Sequence, residues 1–71
     1  GGNLPAAVNG ANEEAVAAFL EGKIDFLDIG RIVMNVCENT PREEIKCVED
    51  VLEADRLARE EARRLALAMK N

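Results

Sequence analysis

The sequence predicts an all-α fold, an incomplete up-and-down helical bundle of three main helices plus a short helical turn. Three observations predict it. Apolar residues recur every three or four positions in three separate stretches. Nowhere do β-branched residues alternate with polar ones over a useful strand length. Residues suited to starting and stopping helices stand between the stretches, at Asn3, Gly22, Asp25 and Thr40-Pro41.

The elements follow in order. Gly1 and Gly2 make a flexible lead-in. Asn3 suits an N-cap, and Pro5 suits the first helical turn, where its missing N–H costs nothing. From Pro5 to Glu21, residues Val8, Ala11, Ala15, Val16, Phe19 and Leu20 form one stripe, and Gly22 suits the position just past the end. Asp25 caps a second helix, and Asp28 puts negative charge in its first turn. Phe26, Ile29, Ile32, Val33, Val36 and Cys37 form the apolar stripe of that helix, which ends near Glu38. Gly30 in its middle costs about 1 kcal/mol relative to Ala, which a closely packed neighbouring backbone would explain. Thr40-Pro41-Arg42-Glu43 has the form of a capping box and predicts a single turn around Pro41–Ile45. Cys47 stands where Ser or Thr would cap the third helix, from about Val48 to Met69. That helix begins with Glu49, Asp50, Glu53 and Asp55. It continues with Arg56, Arg59, Arg63, Arg64 and Lys70, an order that suits the helix dipole.

Some polar residues fall on apolar faces. Asn9 and Asn12 lie inside the stripe of the first helix. The third helix has a stripe of Val48, Val51, Leu52, Ala58, Ala62, Leu65, Ala66 and Met69, with Asp55 and Arg59 at its centre. A buried unpaired charge costs several kcal/mol, on the order of 3–5 when a partner is lost, so the two are expected to pair at their i,i+4 spacing. Asn12 completes this structural network with hydrogen bonds. The sequence offers no nucleophile or general base beside the pair, so it reads as a device that fixes helix register.

Composition excludes several functions. The 71 residues carry 14 acidic and 9 basic side chains, a formal charge of −5, which disfavours binding to nucleic acid. There is no His, Ser, Trp or Tyr, which removes Ser-His-Asp and Cys-His catalysis, His-containing metal sites and the serine of a carrier protein. No apolar run reaches the ~18–20 residues of a membrane span, and no leader is visible, so a cytoplasmic location is expected. Cys37 and Cys47 permit one disulfide by count, with a reduced pair preferred. Cys37 reads as packing. Cys47, at a helix start, reads as a poor substitute for a Ser cap or as a reactive thiol. The doublets Glu13-Glu14, Glu43-Glu44, Glu49-Asp50 and Glu60-Glu61 point about 100° apart within each pair and read as solvated faces. No catalytic, cofactor-binding or metal-binding residue is expected.

One more pattern points outward. Ala6, Ala7, Gly10, Ala17 and Ala18 form a small-residue face on the first helix, away from its main stripe. Leu27, Met34, Leu57 and Leu67 are off-stripe on the other two. Helices apolar nearly all round expect more neighbours than this chain supplies. Self-association or a missing partner element follows as an expectation.

The run Leu4-Pro5-Ala6-Ala7-Val8-Asn9-Gly10-Ala11-Asn12-Glu13-Glu14-Ala15-Val16 leads into Phe19-Leu20, Gly22-Lys23-Ile24, Phe26-Leu27-Asp28-Ile29 and Arg31-Ile32-Val33. After the turn comes Val48-Glu49-Asp50-Val51-Leu52-Glu53-Ala54-Asp55, then Ala58-Arg59 and Ala62. Together these closely resemble the C-terminal helical domain of 1-deoxy-D-xylulose 5-phosphate reductoisomerase, over nearly the whole chain. The resemblance implies a single helical domain, residues 1–71, of a larger bacterial, cytoplasmic and homodimeric oxidoreductase of isoprenoid biosynthesis. That parent uses NADPH and a divalent metal, Mg or Mn, to form 2-C-methyl-D-erythritol 4-phosphate. The upstream domains of the same chain would be its partners, and a helix would precede Gly1-Gly2. Cys47 departs from the usual Ser or Thr at that position. The family's cofactor, metal and substrate motifs match nothing here. The expected role is therefore a brace, inactive alone. The alternative is an independent acidic module for binding a partner helix.

Overall fold

A computed structural model describes residues 2–69 of the chain. Among them are three helices, α1 (Leu4–Leu20), α2 (Phe26–Asn39) and α3 (Val48–Ala68), and no strand. The all-α expectation and the three helix positions hold to within a residue or two. Gly1 and Lys70, assigned to the lead-in and to the basic half of α3, lie outside the described residues.

α1 stops as its sequence suggests. Gly22 has a φ of +76°, the left-handed backbone that favours glycine. The Gly22 N–H donates to Phe19 O and the Lys23 N–H to Ala18 O, which satisfies two carbonyls at the helix end. α2 starts on Asp25, whose N–H donates to the Asp28 carboxylate at 2.9 Å. It ends at Thr40, whose hydroxyl donates to Val36 O at 2.5 Å. α3 starts on Cys47 in extended backbone. The Cys47 side chain makes no capping bond there. Asp50 reaches back instead, accepting the Lys46 N–H at 2.9 Å. The first turn of α3 is acidic, but its last described turn carries no base.

Two local expectations fail together. Asn3 does not cap α1: its backbone is helical and its side chain bonds no helix N–H. Residues 41–46 form no helical turn, and Gly2 pairs antiparallel with Glu44. Pro41 holds Thr40 in extended backbone, with ψ at 119°. The Asn3 amide then takes up the polar groups of residues 41 and 43 that a turn would have used.

The core is made of small residues. Ala7, Ala11, Ala15 and Ala18 of α1 are buried, as are Ala58, Ala62 and Ala66 of α3. Ile32 and Val36 of α2 are the largest fully buried side chains, with Ile24 beside them. Gly10 lies against Asp55, and Glu14 against Arg59 and Arg63. Residue numbers rise together along the two helices, so α1 and α3 run parallel. α2 returns alongside α1 after an edge-to-face contact of Phe19 with Phe26, centroids 5.7 Å apart. It meets α3 only sparsely.

This arrangement corrects the face assignments. Part of the small-residue face of α1 packs inward: Ala7, Gly10 and Ala18 are buried, with Gly10 against α3, while Ala6 is half-buried and Ala17 exposed. Val48, Val51 and Leu52 of α3 are exposed instead of buried. The register that sets Gly10 beside Asp55 brings the first turns of α1 and α3 level. Gly30 faces open space, with nothing within 4 Å of an added Cβ, so no backbone packs on it.

Candidate functional site

The densest polar cluster is centred on Arg59. Its Nε lies 2.9 Å from Asp55 Oδ2, one turn back on α3. Nη1 lies 3.0 Å from Glu14 Oε2, and Nη2 lies 2.7 Å from Glu13 Oε1. Arg63 joins from the next turn, its Nε donating to Glu14 Oε1 at 3.0 Å. Gly10 makes room for this. A Cβ there would come within 2.7 Å of Asp55 Oδ1 and 3.2 Å of Asp55 O.

The electrostatics follow from the contacts. The hydrogen bond from Arg63 holds the Glu14 carboxyl below its ordinary pKa, aided by Arg59 and opposed by partial burial. Asp55 first, then Glu13 and Glu14, push the Arg59 guanidinium's pKa above its ordinary value. Each guanidinium nitrogen of Arg59 is engaged by a carboxylate. The cluster therefore clamps α1 to α3.

The sequence placed Asn12 with Asp55 and Arg59. The structure brings Asp55 and Arg59 together, but Asn12 is exposed and takes no part. Glu13 and Glu14 fill its place. Adjacent helical side chains do diverge, yet a guanidinium is wide enough for its two end nitrogens to reach both. The reading of Glu13-Glu14 as a solvated doublet is corrected accordingly. Its signal was present in the i,i+4 spacing of Arg59 and Arg63, with Gly10 one turn before the acids. Asn9 is exposed, 3.4 Å from Glu13. The Glu60-Glu61 doublet does diverge, to Arg56 and to Arg64.

Other candidates are sparse. Cys37 is half-buried and Cys47 exposed, and both are free thiols. Among the described residues no three His, Cys, Asp or Glu side chains converge as a metal site. No described helix is long and apolar enough to cross a membrane. A groove of about 930 Å³ lies between α3 and the end of α2 with the loop that follows it. Val36, Ala54 and Ala58 line it, with Glu43, Glu44 and the half-exposed Leu57.

Comparison with known proteins places this geometry. The family model described as the DXP reductoisomerase C-terminal domain matches residues 1–61. A 1-deoxy-D-xylulose 5-phosphate reductoisomerase of Cupriavidus pinatubonensis is 57% identical over 63 residues, 89% of this chain and 16% of that protein. Proteins of the same name from Nitrosomonas eutropha and Cupriavidus necator are 55% and 54% identical over 90% and 99% of this chain. The chain spans 16% of the first two relatives and 18% of the third. No solved structure matches it significantly. On this match, which takes in α1 and α3 as far as residue 61 and so includes Arg59, the chain belongs to the family of DXP reductoisomerase C-terminal domains.

Proposed function

We propose that the chain is the helical brace of a longer reductoisomerase. That enzyme rearranges 1-deoxy-D-xylulose 5-phosphate and reduces it to 2-C-methyl-D-erythritol 4-phosphate, using NADPH and Mg or Mn, as a homodimer in the bacterial cytoplasm. The family match over residues 1–61 carries the reading. The described residues do not fit a metal ion, since no three candidate ligands converge. On this reading the upstream domains carry the cofactor, the metal and the reacting atoms.

The brace's contribution is rigidity. Reactions that need aligned groups are sensitive to ångström-scale misplacement, so a part that never touches substrate can set the rate. The upstream part of the chain covers the groove between α3 and the end of α2, where Leu57 is exposed above a floor of Val36, Ala54 and Ala58. Without that cover the groove favours self-association.

The test is to assay NADPH oxidation with 1-deoxy-D-xylulose 5-phosphate. The full-length protein is expected to turn over, and the 71-residue chain alone to be inert. Removal of these residues should sharply lower turnover by the rest. Unchanged turnover after their removal would refute the role of a brace.

A further inference from the structure

Asn3 is the buried polar side chain of the described structure. Its type and position suit an N-cap. The helix does not use it so. Its Nδ2 donates to Pro41 O at 2.8 Å, and its Oδ1 accepts the Glu43 N–H at 2.9 Å. Its own N–H donates to Glu43 O at 3.0 Å. Gly2 adds the antiparallel pairing with Glu44. An amide held at both ends fixes rotation as well as separation. The residue before it is glycine, the freest swivel a chain can have.

Domains in one chain move relative to one another unless something stops them. We propose that Asn3 is a positioning residue, a latch that ties the peptide joining this bundle to its upstream domains onto the α2–α3 loop. It thereby fixes the direction from which those domains approach. This rests on the reading of the chain as part of a longer reductoisomerase.

The experiment uses that full-length enzyme. Asn3→Asp removes the donor to Pro41 O and sets a carboxylate against it, and Asn3→Ala removes both amide bonds. Arg42→Ala is the control, because Arg42 ties the same loop to the end of α2 and not to Asn3, donating to Cys37 O and Thr40 O. The readouts are interdomain distances from small-angle scattering, kcat, KM for NADPH, and helical content. Both Asn3 variants are expected to broaden the distances and lower kcat about tenfold, with KM within about twofold and helical content retained. Arg42→Ala should leave distances and kcat at wild-type values. Asn3 variants with unchanged distances and kcat would overturn the latch, as would an Arg42→Ala variant that reproduces their effect. A wild-type protein with no NADPH-dependent turnover would sink the functional reading instead, and the scattering alone would then decide the latch.

Discussion

The two sides of α3 are built on opposite rules. Toward α1 it presents Ala58, Ala62 and Ala66, an alanine every fourth residue, against Ala7, Gly10, Ala11 and Ala18. Toward α2 it presents Leu57 and Glu61 across an open groove. The small side chains are on the closed side, and several of the large apolar ones are on the open sides. With aromatics limited to Phe19 and Phe26, close backbone approach replaces side-chain volume as the source of contact. Where side chains are long, the helices stay apart.

The largest test of this contrast is to overfill the closed side. Ala62→Leu adds bulk at a site only 1% exposed. Its chemical denaturation midpoint should fall by an amount equivalent to about 1–3 kcal/mol. Leu57→Ala on the open side should stay within about 0.5 kcal/mol of wild type in the 71-residue chain. Equal losses would mean that the two sides are packed alike.

The glycines sharpen the contrast. Gly30→Ala adds a methyl in open space and should raise stability by about 1 kcal/mol, the usual helical gain. Gly10→Ala makes the same gain but drives a Cβ to 2.7 Å from Asp55 Oδ1 and 3.2 Å from its backbone carbonyl. The carboxylate can turn away, at the expense of its bond to Arg59. The carbonyl can move only with the helix. The melting temperature of Gly10→Ala should therefore fall below that of Gly30→Ala. A Gly10→Ala protein as stable as Gly30→Ala would show that the seam has slack.

This contrast also marks what the sequence disclosed. Periodicity places all three helices, because a 3.6-residue repeat survives whatever neighbour covers it. It misassigns the covered faces, because periodicity ranks positions by size of side chain. Ala7 and Gly10 look like an idle face and are a contact surface. Val48 and Leu52 look like a core and are exposed. Asn3 and Thr40-Pro41 read as local capping signals, yet contacts 38 and 40 residues away in sequence overrule them. Asp55 and Arg59 are legible as a pair because they share one helix. Glu13 and Glu14 are not, because their partner lies on another.

The smallest effects separate a clamped carboxylate from a solvated one. Glu14 is 22% exposed between Arg59 and Arg63, while Glu53 is 54% exposed beside Arg56. Both carboxyls are held below their ordinary value of 4.5, by the hydrogen bonds from Arg63 and Arg56 respectively. A depressed carboxyl pKa means stability that is present above pH 4.5 and lost as pH falls through the folded-state value. Glu14→Gln should therefore lower the melting temperature at pH 7, by the equivalent of about 0.5–1 kcal/mol. Its difference from wild type should shrink as pH drops below 4.5. Glu53→Gln should be close to silent at pH 7, because water and salt screen an exposed pair within one helix. Adding about 1 M salt, where the screening length is about 3 Å, should erase what effect remains at Glu53 and leave part of that at Glu14. If salt removed both equally, Arg59 and Arg63 would hold Glu14 no more firmly than a surface ion pair, and the polar closure of the α1–α3 seam would contribute nothing beyond its alanines.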